Sequence, residues 1–144
     1  MTIADRDPPQ EPLRVSILSQ SSYLIASIHT ALDDGQLMRF QRDLIDRIGT
    51  QRARGVIIDV AALDVLDSFG SRTLRDIARA GRLRGAVTVI VGIAPDLALN
   101  MVRLGLDLDL PTALDLEEGL AYLAAETGGA TGGATGGPTG RRRP

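Results

Sequence analysis

The sequence predicts an α/β layered domain built on a mixed sheet of about five strands with about four helices, and three observations carry that prediction. Two apolar, largely β-branched runs, GVIIDV from Gly55 to Val60 and AVTVIVG from Ala86 to Gly92, have the composition of strands buried on both faces. Around them lie segments whose apolar residues recur at helical spacing. Capping residues and glycines punctuate these segments, so strands and helices alternate along the chain, the pattern of right-handed crossovers.

The elements follow in order. Residues 1–12 are polar and hold three prolines, the composition of a flexible N-terminal arm, so the folded domain is expected over residues 13–126. RVSILSQSSYLIASI reads as a β-hairpin around Gln20, Ser21 and Ser22. Thr30-Ala31-Leu32-Asp33 has the spacing of a capping box that opens the first helix. Leu37, Phe40, Leu44, Ile45 and Ile48 then share one face, and Gly49 is expected to stop the helix.

GVIIDV should be the central strand. The second helix turns Leu74, Ile77, Ala78 and Gly81 inward and ends near Arg84 and Gly85. AVTVIVG is the next strand, and Pro95 and Asp96 open a short helix that Gly105 closes. Thr112 to Leu114 is a weak last strand, after which Asp115 and Glu118 bracket a final helix. From Thr127 the chain repeats TGGA, TGGA, TGGP and ends TGRRRP. Such a tract buries too little surface to offset the entropy of ordering it, so residues 127–144 are expected to be a disordered tail, with Arg141 to Arg143 either a solvated end or a dock for an acidic partner.

Composition then narrows the function. A chain of 144 residues with 44% hydrophobic content supports one domain. A net charge of -2 points away from nucleic acid and anionic membranes and toward a protein partner or a small ligand. The longest apolar runs fall far short of the ~20 residues that span a bilayer. The first residues lack the basic and apolar regions of a signal peptide, which reads as a cytoplasmic protein.

Cysteine is absent, which removes thiol catalysis, disulfides and thiolate metal sites. All sixteen basic residues are arginine, and without lysine a Walker-type ATP site, a Schiff base and a receiver-domain phosphoaspartate site lose a group they use. His29 is the one histidine, little material for a metal site. No cofactor is expected.

The stretch DVLDSFGSRTLRDIA, Asp64 to Ala78, sets Ser68 where a strand hands over to a helix, and Asp59, Asp64 and Asp67 gather at the same junction, where α/β sheets place functional loops. Asp67 or Ser68 could simply cap the helix, worth ~0.5–2 kcal/mol. A Ser68-His29-aspartate triad rests only on the residue types being present. Alternatively, positions 68, 72, 75, 79 and 82 fall on one helical face, so Ser68 heads a stripe of Arg72, Arg75, Arg79 and Arg82 that a partner could grip and a kinase could convert. Against that stands a plain solvated face with Asp76 pairing to Arg72 and Arg79. Spacing alone leaves these readings open.

From about residue 12 to residue 125 the chain resembles the STAS domain, the fold of the anti-sigma-factor antagonists. The specific pieces are LDSF, VGIAP and TALDLEEGL. Within the family, D-S-F-G-S with Phe69 is similar to the stressosome scaffold subtype, whereas the simpler antagonists show D-S-S/T-G-L. The resemblance implies that Ser68 is phosphorylated by a partner serine/threonine kinase of the switch type. It implies a partner-binding surface of Asp64, Asp67, Ser68, Phe69, Arg72, Arg75 and Arg79, with no catalytic residue in the chain itself. It further implies co-assembly in an oligomer with sensor homologues that share the domain, and release of the sequestered kinase on phosphorylation. A direct anti-sigma antagonist, a STAS subunit of a transport complex and an enzyme with Ser68 as nucleophile are the alternatives, and Ser71 and Thr73 are open as secondary phosphosites.

Overall fold

The computed structural model describes residues 13–128; the expected arm, and the tail from residue 129, lie outside them. β1 (Val15–Gln20) and β2 (Tyr23–Ile28) pair antiparallel from Val15 opposite Ile28 to Gln20 opposite Tyr23. The turn between them holds Ser21 at φ 55, the left-handed backbone that short hairpin turns require. β3 (Gly55–Asp59), β4 (Val87–Val91) and the two-residue β5 (Thr112–Ala113) then add in parallel, giving the sheet order β1-β2-β3-β4-β5.

The parallel pairs require crossovers. α1 (Asp34–Thr50), α2 (Ser68–Leu83) and α3 (Pro95–Leu104) supply them, and α4 (Leu116–Glu126) follows β5. Alternation along the strands divides the core in two. Leu24, Ala26, Val56, Ile58 and Ile90 face Phe40, Leu44 and Ile48 of α1, Leu74 and Ile77 of α2 and Leu97 of α3. Ile25, Ile57, Val89 and Val91 face Leu123 of α4, with Leu120 and Tyr122 packed alongside. Val56, Ile57 and Ile58 are therefore all fully buried, because β3 is covered on both faces. The five strands and four helices match the expected architecture.

Three local details differ from the sequence reading. Helix α1 is capped by Asp33, not Thr30: Gln36 N donates to Asp33 Oδ1 at 2.7 Å and Asp33 N donates to Gln36 Oε1 at 2.9 Å. The reciprocal box needs a long amide or acid side chain three residues on, which Gln36 supplies and Asp33 is too short to supply to Thr30. Gly49 does not end α1, which runs to Thr50 and turns at Arg52, φ 52; the small residue instead makes room for the Arg84 guanidinium. The last strand stops at Ala113, and the backbone N–H of exposed Leu114 donates to Glu118 Oε1 at the head of α4 instead of joining the sheet.

Thr88, on β4, is 4% exposed and its hydroxyl has no hydrogen-bond partner. A buried, unpaired hydroxyl carries its desolvation cost with no return, so Thr88→Val, of nearly the same shape, is expected to stabilise the fold by about 1 kcal/mol. Thermal melts would register this as a rise of a few degrees in Tm. A fall in Tm would show that the hydroxyl contributes a bond.

Candidate functional site

The site is the loop between β3 and α2, at the carboxyl ends of the parallel strands. Asp59, the last residue of β3, bends its carboxylate back to accept the Ala61 N–H at 2.9 Å. Gly92, at φ 83 at the end of β4, lies so near that a Cβ there would come within 2.9 Å of the same oxygen. The Val60 N–H donates to the Val91 carbonyl at 3.0 Å. Asp59 is thus committed to shaping the loop.

Leu63 and Leu66 drop into the core and pull the loop down onto the sheet. The Leu66 N–H donates to Asn100 Oδ1 at 3.1 Å, which ties the loop to α3. Asp67 then caps α2, accepting the Gly70 N–H at 2.8 Å from an extended backbone. With the cap supplied by Asp67, the hydroxyl of Ser68, exposed at the first position of the helix, has no part in it. An anion on that hydroxyl would meet the unpaired N–H groups and positive dipole end of α2.

The other predicted positions separate into exposed and engaged groups. Asp64 is exposed, and Phe69 is half-buried with its carbonyl accepting the Thr73 hydroxyl at 2.8 Å. Arg72 and Arg82 are exposed. Arg75 is half-buried, with Nη1 donating to the Asp107 carbonyl at 3.3 Å. Arg79 sits 3.9 Å from Asp109, both side chains largely exposed. The ion pair of the stripe therefore goes to the segment between α3 and β5 and not to Asp76, and at that exposure it is worth ~0–1 kcal/mol. Ser71 and Thr73 are 2% and 3% exposed. His29 Nε2 lies 3.1 Å from Ser16 Oγ on the hairpin, a partner that has nothing to do with Ser68. No cluster of three metal-ligating side chains occurs among the described residues.

Two features escaped the sequence reading. Asn100 was legible only as a lone polar residue within the apolar run of α3. An apolar pocket of about 160 Å³ beside the serine is lined by Ile28, Leu37, Leu63, Leu66 and Leu74, with Asp67 at its edge. It forms where the β2–α1 and β3–α2 connections meet, a juxtaposition with no local signature.

Five strands in this order, helices on both faces and an exposed serine at the head of the Asp67-capped α2 define a STAS domain. The STAS family model matches residues 14–119, and the chain belongs to the STAS family. It is similar to RsbS of Moorella thermoacetica, solved as a serine-to-glutamate variant: 36% identity and a TM-score of 0.68, covering 79% of this chain and 97% of that one. A chain in the solved architecture of the stressosome, a signal integration and transduction hub, is 32% identical with a TM-score of 0.62, covering 77% of this chain and 97% of that one. The RsbT co-antagonist protein RsbRA of Bacillus subtilis (strain 168) is 29% identical over 90 residues, which cover 62% of this chain and 33% of that relative. The chain thus spans about a third of RsbRA's length. No helix among the described residues is long and apolar enough to cross a membrane.

Proposed function

We propose that the protein is a cytoplasmic, non-enzymatic scaffold of the stressosome type. It sequesters a switch serine/threonine kinase of the RsbT kind, co-assembles in an oligomer with STAS-domain sensors of the RsbR kind, and releases the kinase when that kinase phosphorylates Ser68. The single observation that carries this reading is the Ser68 hydroxyl, exposed at the start of α2 while Asp67 makes the cap. A group that the fold does not use is free to change charge. The likeness to RsbS and to a stressosome chain supports the scaffold role, and the likeness to RsbRA supports partners that share the domain.

The kinase reaction transfers the terminal phosphoryl group of ATP to the serine oxygen, breaking the bond from that phosphorus to the β,γ-bridging oxygen so that ADP leaves and the hydroxyl proton is lost, and adds about -1.5 to -2 charge at neutral pH. Incubation with the kinase and ATP, followed by mass spectrometric mapping, is expected to find phosphate on Ser68 and none on the buried Ser71 and Thr73. Phosphate on either of those with Ser68 bare would overturn the assignment.

The arginines divide the work of attraction. Arg79 is offset by Asp109 and Arg75 is turned to the Asp107 carbonyl, whereas exposed Arg72 stands one turn from Ser68. Arg72→Ala is therefore expected to slow kinase association more than Arg79→Ala does, with the difference shrinking as the screening length falls from ~10 Å at 0.1 M salt to ~3 Å at 1 M. Stopped-flow association rates at both salt concentrations check this.

A further inference from the structure

At the opposite end of α2 from Ser68, roughly 24 Å along a sixteen-residue helix, three arginines meet around one shallow pocket. Arg52, Arg54 and Arg84 line it with Gly49 and Gly85, over a floor of Ile48 and Ala53, and no carboxylate contributes to the lining. The ion pair among the described residues lies elsewhere, between Arg79 and Asp109. Arg54 gives one nitrogen to the carbonyl of Thr127, the C-cap of α4, at 2.6 Å.

The arginines could be there only to complement the carbonyl ends of α1, α2 and α4, the last reached by Arg54 at the Thr127 carbonyl. Magnitudes decide against that being the whole account. Each helix C-terminus presents about -0.5 charge, the three together about -1.5, against three guanidinium charges that no accessible pH removes. An excess of about +1.5 is left over a pocket of roughly 400 Å³. Placement of Arg84 is also built into the sequence: Gly49 lies under its guanidinium, and a Cβ at that position would occupy the space the guanidinium fills.

We infer that this pocket binds a diphosphate group. Guanidinium forks match phosphate oxygens in pairs, which gives geometric selectivity as well as charge, and a compact, multiply charged anion is what three forks with an excess of about +1.5 accommodate. The inference concerns a surface separate from Ser68 and does not depend on the kinase.

The test is a calorimetric titration of the full chain with inorganic pyrophosphate, and in parallel with a nucleoside diphosphate, at constant ionic strength. Saturable binding is expected, weakened about tenfold or more by Arg84→Ala and unchanged by Arg42→Ala on the exposed side of α1. Gly49→Ala is the decisive variant: it keeps every charge, places the better helix former in α1, and displaces the Arg84 guanidinium. It should weaken binding as Arg84→Ala does, with Tm not lowered. Tighter binding of the nucleotide assigns the group to a nucleotide, and equal binding assigns it to a free diphosphate. Heats that do not saturate at millimolar pyrophosphate would overturn the inference, as would a Gly49→Ala protein that binds like the wild type, since attraction to diffuse charge is indifferent to where Arg84 lies.

Discussion

Ser68→Asp is expected to fold as the wild type does and to lose the switch kinase by about tenfold or more, while Ser68→Ala also folds, keeps the kinase and accepts no phosphate. Two effects of opposite sign meet at this position. In the free protein an anion at the first residue of α2 is favoured by ~0.3–1 kcal/mol by the helix dipole. The adjacent carboxylate of Asp67, already committed to the Gly70 N–H, offsets part of that gain. In the proposed complex the same anion would be buried against the partner, where desolvation and like-charge contacts cost several kcal/mol. Since each ~1.4 kcal/mol is tenfold in affinity, the second effect dominates. Aspartate carries less charge than the -1.5 to -2 of a phosphate, so its loss of binding should be smaller than that of the phosphoprotein. Thermal melts and kinase titrations on the two variants separate folding from binding.

Leu74→Ala, six residues further along the same helix, should do the reverse. Leu74 is 1% exposed, belongs to the main core cluster and forms a wall of the pocket beside the serine. Removing its side chain forfeits transfer energy and leaves a cavity, at a cost of ~2–5 kcal/mol, a large fraction of the ~5–15 kcal/mol that holds a typical domain together. Urea unfolding is expected to show that loss, with the urea dependence of the transition little changed. A loss below about 1 kcal/mol would mean that the helix collapses into the pocket and refills it. One helix thus carries stability on its Leu74 and Ile77 face and, under the proposed function, would carry the signal at its exposed first residue.

How far the chain could be read follows from the range of the interactions involved. The β3 run from Val56 to Ile58 was legible because continuous burial leaves a continuous apolar signature, and Asp115 and Gly105 because caps act within a turn. Thr30 fits the box by its spacing to Asp33 as well as Asp33 does by its spacing to Gln36; only the side-chain lengths at Asp33 and Gln36 choose between the two. Gly49 looked like a stop because glycine often is one, and its packing against Arg84 comes from a residue 35 positions away that local pattern cannot show. At the site, Ser68, Asp67 and the arginine stripe were visible from motif and helical spacing. The division of that stripe into an exposed Arg72 and engaged Arg75 and Arg79 depends on where the segment carrying Asp107 and Asp109 returns to α2. The same holds for the bond from Leu66 to Asn100.

The affinity of the switch kinase for the protein before and after phosphorylation, with the phosphate mapped to Ser68 and the kinase held without ATP during the measurement, tests the central claim most directly. The account predicts tight binding to the unmodified protein and a loss of at least about tenfold once Ser68 carries phosphate. Equal affinity for the two forms would contradict it.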